Sequence, residues 1–503
     1  MDFDKLKQKV SERALDRQDV SLNPPDSGLQ FEEDIFEEKL SETARSRSSA
    51  ARRITNSFSW LGPALVLLAP IPFGSNRPVL WMFWCVVLFL ALAIFAGAVA
   101  ARDPGRSIRV SSLRGLIAIG LCIPLAGLVQ LVPLGILNSL PAHIPPDLVP
   151  RRMSLSASSS LMAALRILSY IALFVIVVAT SLRPDRVKSR LHYIFYAVFA
   201  HAVLGLVMLT VLGDISILGP KESYEGFATG TFVNRNSFAT FLGMGLVCGM
   251  ALLMDRANRR RMRRPGKLSL LSPERIELLM FASALGIVFI AQVFTASRAA
   301  TASTLVGLWV VYVLMSAKAR GSILRPLLRG GGAIAVLTLV AFATFGSDLL
   351  DRSLTIDSAA GTRLDLYKQV IGMIAMRPLS GYGLDSFRIA YELFHELPVS
   401  TAFTWSLAHS TYLALWVELG LVAGTLPMIA VGMVFVRSFK SYLNRTTDFV
   451  APVATLGAIV VAALHSTVDF SLEMEANVFL LIAICGLGVA NLRPSRSTKV
   501  SPE

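Results

Sequence analysis

Charge is scarce in this chain. Only 16% of its 503 residues are Asp, Glu, Lys or Arg, while 54% are hydrophobic; a soluble domain carries about 25% charged residues. That shortfall excludes an ordinary soluble enzyme. Cysteine is scarce as well. Cys85, Cys122, Cys248 and Cys485 all fall within apolar runs and none belongs to a CxxC pair, so neither a disulfide framework nor a zinc site is indicated. The chain has no GxxxxGK[ST] loop and no kinase signature, which removes the usual nucleotide-driven chemistries. It has no HExxH segment and no cluster of carboxylate ligands to suggest a catalytic metal, and the reading is of no cofactor. Energy then comes from a gradient or from an activated substrate already in the membrane.

What the chain does have is apolar runs of about 17–25 residues, each long enough to span a bilayer. They predict an all-α polytopic membrane protein of about twelve spans, near 57–73, 78–100, 114–134, 161–181, 191–212, 236–254, 277–296, 299–316, 330–346, 410–436, 449–467 and 476–491. Proline and glycine inside several of them are tolerable in membrane helices. GLVCG at Gly245–Gly249 fits a close helix-packing motif.

The net charge of +14 does not point to nucleic acid, because the basic residues sit in short loops between spans. Alternate loops hold Arg102, Arg106 and Arg109; Arg183, Arg186, Lys188 and Arg190; the run RANRRRMRRPGK from Arg256; Lys318 to Arg329; and Arg437 to Arg445. By the positive-inside rule these loops are cytoplasmic, and so are both termini. The polar loop at 347–409 then faces the opposite, non-cytoplasmic side, read as the periplasm.

Residues 1–56 are polar and charged, which predicts a cytoplasmic tail without a signal peptide. Within it FEEDIFEEKL places Phe31, Ile35 and Leu40 near helical spacing, which suits either docking of a partner helix or a solvated, disordered tail. RSRSSAARR, before the first span, reads as an orientation signal in contact with anionic membrane lipids.

The chemistry-bearing residues gather on the non-cytoplasmic side. Arg298 lies in a tight turn between two apolar runs, where an arginine is costly without an anionic partner or a wet cavity. It serves either to bind phosphate or pyrophosphate through its forked donors, or to snorkel to the interface. Arg363, Arg377 and Arg388 on the large loop strengthen the anion reading, and Arg235 lies in the facing loop. Arg363 and Lys368 belong to a run amphipathic enough to rest on the membrane surface. Pro378, Gly381 and Gly383 predict a turn that brings backbone close to another element. His409, at the end of the loop, is either a general base or a structural hydrogen-bonding group at a helix start. Glu418, nine residues on, needs a partner or water, and His465 with Asp469 could complete a polar rim. His192 and His201 belong to an apolar helix and read as packing residues.

At these residues the sequence resembles the O-antigen ligase and Wzy-type polysaccharide polymerase superfamily. The resemblance runs from about Thr229 to Leu487. It rests on TGTFVNRNSFATFL, TASRAA, GTRLDLYKQVIGMIAMRPLSGYGLDSF, AHSTYLALWVELGLVAG and ALHSTVDFSLEMEANVFL, in that order. It divides the chain into a tail at 1–56, a scaffold at 57–228, a ligase-like membrane domain at 229–491 and a second tail at 492–503. It implies a GT-C-like, metal-independent, inverting glycosyltransferase that takes a glycan from undecaprenyl pyrophosphate. The acceptor would be a growing glycan or lipid A–core. By the same resemblance the turn arginine is Arg298, the loop arginine Arg363 and the loop histidine His409, with Glu418 as the acid that follows. The chain departs from the pattern at Ser410, where asparagine is common, and at Ala299 and Ala300, where glycines are common. The polymerase reading is slightly favoured over ligase because the long tail could contact polysaccharide assembly proteins. A reading from another class is a transporter or flippase, which would more often show paired interrupted helices at the bilayer midplane.

Overall fold

The computed structural model describes residues 49–102, 111–133, 140–141, 143–145, 147, 149–217, 219–263, 272–329, 331, 363–400 and 404–490. The expected span at 330–346 (residue 331 apart), the docking segment at 31–40, loop residues 347–362 and the tail at 492–503 lie outside them.

The chain is a mostly helical, multi-pass membrane protein, and seven of its helices are long and apolar enough to cross a membrane. In chain order the helices used below are α1 (Leu61–Leu68), α2 (Pro78–Arg102), α3 (Arg114–Val129), α4 (Ala157–Thr180), α5 (Pro184–Thr210), α6 (Arg235–Arg263), α7 (Pro273–Phe294) and α8 (Arg298–Arg320). They continue with α9 (363–376), α10 (Phe387–Glu392), α11 (Thr411–Asn444), α12 (Val450–His465) and α13 (Glu475–Gly488). The seven long ones are α2, α4, α5, α6, α7, α8 and α11; α3, α12 and α13 are apolar but shorter. The expected first span is not one continuous helix. Residues 49–57 are already helical, and the segment then breaks into Phe58–Trp60, α1 and the short turn Phe73–Ser75. Pro70 and Pro72 supply no backbone N–H and end the helix.

The helices have termini that match their sequences. Pro184 and Pro273 occupy first-turn positions of α5 and α7, where a missing N–H costs nothing. Ser156 caps α4 by accepting from the Ser159 N–H. At the centre α6, α8 and α12 pack on one another. A Cβ on Gly307 would lie 2.5 Å from Val461 and 3.1 Å from the Gly457 carbonyl, so glycine lets α8 and α12 approach closely. GLVCG is likewise a packing motif. Cβ atoms at Gly245 and Gly249 would lie 2.4 Å from Val198 and 2.5 Å from Phe195, on α5. The outer helix α7 instead exposes Leu279, Met280, Ile290 and Phe294, the surface a lipid tail would cover.

The polar loop is a small subdomain rather than a solvated strand of charges. On α9 Leu366, Val370, Met373 and Ile374 fall on one face and are buried. They form a separate core with Tyr382, Phe387, Tyr391, Val399, Ala408 and Val417. The turn anticipated at Pro378–Gly383 inserts into a break in α11. There Gly420 leaves the helical region, at φ 77° and ψ 171°. The Leu421 N–H donates to the Pro378 carbonyl at 2.7 Å, the Tyr382 N–H to Val417 at 2.9 Å and the Gly383 N–H to Glu418 at 3.0 Å. The backbone groups freed by the break are thus satisfied by the turn, as they must be at membrane depth.

Candidate functional site

One end of the bundle collects the start of α6, the α7–α8 turn, α9, the start of α11 and the α12–α13 turn. The last two are tied together. The Thr411 N–H donates to the carbonyls of Ser466 (3.1 Å) and Asp469 (3.3 Å), and the Thr411 hydroxyl donates to Asp469 as well (3.2 Å). This clamp holds His409 beside the 465–471 turn.

His409 sits just outside α11 and is not its cap. Ser410 is the N-cap, accepting from the Leu413 N–H. His409 itself has φ 52°, a left-handed conformation uncommon for a residue with a side chain. Its carbonyl accepts from the Tyr367 hydroxyl at 2.9 Å. Its half-buried ring stands edge-on to Phe470, with centroids 5.3 Å apart. Among the described residues the ring Nδ1 meets no hydrogen-bond partner. Burial, and after it the Arg363 charge, hold this imidazole below its ordinary 6.5, while Asp469 acts in the opposite direction. The ring is therefore neutral at pH 7 and can take up a proton.

Asp469 is buried and well supplied with donors. Asn236 Nδ2 donates to its Oδ2 at 3.0 Å, and the Ser471 hydroxyl donates to its Oδ1. His465, also buried, lies 3.9 Å from the same carboxylate. Thr240 donates to the Asn236 carbonyl at 3.0 Å, which leaves its oxygen to accept from His465 Nδ1–H at 2.7 Å. The network joins α6, α12 and the 466–471 turn, and fixes the carboxylate next to His409.

The positive charges come from two loops. Arg363 is exposed at the start of α9. Arg235, at the start of α6, lies 4.3 Å over the Phe227 ring and 5.7 Å over Tyr224. Burial pushes the Tyr224 phenol above its ordinary range, and the charges that act on it are Arg235, Asp469 and Arg363. Tyr367, one helical turn after Arg363, is raised by burial and feels Arg363 and Asp469 too. Arg235, Arg363, His409, His465 and Asp469 are thus one constellation. Tyr224 and Tyr367 join it unforeseen. Tyr367 had a signal, its i,i+4 spacing from Arg363, which puts both on one helix face. Tyr224 had none.

Arg298 shares this end of the bundle and is exposed as the first residue of α8. The Ala228 N–H, from the loop before α6, donates to the Phe294 carbonyl at 2.9 Å beside its turn. No contact among the described residues joins Arg298 to Arg363 or His409. A guanidinium at a helix N-terminus adds its forked donors to the free N–H groups there, an arrangement suited to an anion.

Three expected members lie elsewhere. Arg377 is 2% exposed, donates to the Met153 carbonyl at 3.2 Å and covers the Tyr382 ring at 4.5 Å, so it packs the subdomain. Arg388 is exposed and stands 3.7 Å from Glu392, one turn along α10. Glu418 accepts from the Phe387 N–H at 3.3 Å. It belongs to a second polar cluster in which Arg166 contacts Glu475 (2.9 Å) and the Glu473 carbonyl (3.2 Å) and faces Asp385 (4.0 Å). His201 binds the Leu67 carbonyl at 2.9 Å and His192 the Lys188 carbonyl at 2.8 Å, both packing contacts.

No curated protein matches the chain. Residues 281–428 match the model of the O-antigen ligase family. That stretch begins in α7, passes through Arg298, Arg363 and His409, and ends beyond the break in α11. The chain therefore carries an O-antigen ligase domain of the Wzy-type family and is a membrane protein of polysaccharide biosynthesis.

Proposed function

We propose that the protein transfers a glycan from undecaprenyl pyrophosphate to an acceptor sugar, at the periplasmic face of a bacterial inner membrane, with both termini cytoplasmic. The observation that carries this reading is the meeting of Arg363, Arg235 and a neutral His409 beside Asp469, with Arg298 on the same end. Arginines suit a pyrophosphate because their forked donors match its oxygens and stabilise the charge that develops on it as the glycosidic bond breaks. A neutral imidazole with an open nitrogen suits the other half of the reaction, removal of the acceptor hydroxyl's proton. Attack on the sugar C1 from the side opposite the pyrophosphate inverts the anomer. A diphosphate leaves without protonation, so no pair of glycosidase-type carboxylates is required. The metal-independent, GT-C-like character comes from the resemblance. Polymerisation of surface polysaccharide is favoured over ligation to lipid A–core by the long N-terminal tail alone.

The direct test is transfer of a lipid-linked glycan by the purified protein. Arg298→Ala is expected to remove most activity while the protein still inserts, and Arg298→Lys to be impaired too, since a point charge does not replace a fork. Normal glycan transfer by Arg298→Ala would remove that residue from the reading.

The pH dependence carries a sign. His409 is held low, so the base form is lost only as pH falls through a value below 6.5. In Arg363→Gln the lowering charge is gone, and the acid limb of kcat/KM should move to higher pH. In Asp469→Asn the opposing charge is gone, and the limb should move lower still. Limbs that coincide in all three proteins would assign the titration to another group.

A further inference from the structure

At the opposite end of the bundle lies a cluster of arginines that the transfer reaction does not use. Arg190, on the first turns of α5, is 3% exposed. Its Nη1 donates to the Ser181 hydroxyl at 2.7 Å, while its Nη2 is buried and meets no acceptor among the described residues. Arg186, one turn earlier, is close enough to act on it electrostatically, and Arg186 in turn feels Arg183 and Arg52. The partners these four guanidinium groups find among the described residues are neutral: Ser181 for Arg190 and the Asn56 side-chain oxygen, at 2.9 Å, for Arg186. Three other basic side chains at this end meet carboxylates instead. Lys188 and Arg259 contact Asp255 and Arg256 contacts Glu277.

A loop arginine that serves only to orient the chain is exposed and hydrated. Arg190 is neither. A buried guanidinium without a counter-charge is costly, and the like charge of Arg186 beside it raises that cost. An anion with several oxygens would remove both penalties, and a phosphate does so best, because it accepts forked, charge-assisted hydrogen bonds. The surroundings identify its source. Trp60 and Tyr193 pack edge-to-face with centroids 4.6 Å apart, four residues beyond Asn56 and three beyond Arg190. They are 44% and 49% exposed, and Tyr196 is 42% exposed on the next turn. Amphipathic rings displayed in this way mark the headgroup level of a bilayer. The site therefore lies at the depth of lipid phosphates and beside the surface a lipid would occupy.

We propose that Arg52, Arg183, Arg186 and Arg190, with Ser181, form a binding site for the phosphate of an anionic phospholipid headgroup. Arg190 is its buried anchor, and the exposed arginines close over the headgroup. The site is independent of the transfer reading, since none of its residues lies near His409.

The experiment is native mass spectrometry of the full-length protein in detergent, titrated with phosphatidylglycerol, phosphatidylcholine or inorganic phosphate. Wild type should retain phosphatidylglycerol in preference to phosphatidylcholine. Arg190→Gln should weaken that binding about tenfold or more, as expected for loss of a charge-assisted donor. Because a buried substitution can disturb folding, the double variant Arg52→Gln, Arg183→Gln, altered only at exposed residues, should weaken it as well. Equal retention of phosphatidylglycerol by wild type and both variants would overturn the site. Competition by millimolar inorganic phosphate that displaces the lipid completely would overturn the lipid as its ligand.

Discussion

His409→Asn is expected to reduce glycan transfer by about 10²–10⁴-fold, the usual contribution of a general acid–base group, while leaving donor affinity and folding intact. Asparagine isolates the ring. The backbone at His409 has φ 52°, and asparagine tolerates that left-handed conformation where alanine does so poorly. The helix keeps its cap, because Ser410 and not His409 supplies it. The Tyr367 hydrogen bond also persists, since it goes to the His409 carbonyl. The arginines that would hold the pyrophosphate are untouched. The measurement is single-turnover transfer of lipid-linked glycan by purified protein, together with donor binding. Turnover near wild type in His409→Asn would remove the base role and leave electrostatic stabilisation by arginine as the source of catalysis.

Gly420→Ala is expected to be the most damaging small substitution in the membrane region. At φ 77° and ψ 171° the residue occupies backbone space that only glycine visits freely, at a cost of about 1–3 kcal/mol for any other residue. An added Cβ would also lie 2.4 Å from the Leu379 carbonyl oxygen. That neighbour is backbone held within the inserted turn, so it cannot swing away. The turn would be pushed out of the break, and the hydrogen bonds from Leu421, Tyr382 and Gly383 would be strained together. Thermal unfolding in detergent should shift clearly downward, with loss of transfer because α9 and His409 ride on the same subdomain. Gly432→Ala, farther along α11, is the control. Nothing lies within 4 Å of its Cβ, and alanine favours a helix by about 1 kcal/mol over glycine. Equal unfolding temperatures for the two variants would show that the break is not held by the turn.

The membrane class, the helical content and the arrangement of loops were legible in the sequence. Apolar runs must be helical in a bilayer, because no water is present to satisfy the backbone. The grouping of Arg298, Arg363, His409 and the 465–469 segment on one side was legible too, since each span reverses the chain's direction. Which of those residues meet was decided by tertiary structure. Arg363 and Arg377 look alike in sequence. Yet α9 leaves the first exposed beside His409 and carries the second into the core against Tyr382. Tyr224 is drawn to Asp469 by the path of the loop before α6, which no local pattern encodes. The turn at Pro378–Gly383 announced a close approach, but its target, the break at Gly420, lies 37 residues further along the chain than Gly383. The physical reason is range. Hydropathy and helical periodicity act over one or two turns. The pairing of a buried charge with its partner depends on how distant segments pack, and only the folded chain brings them together.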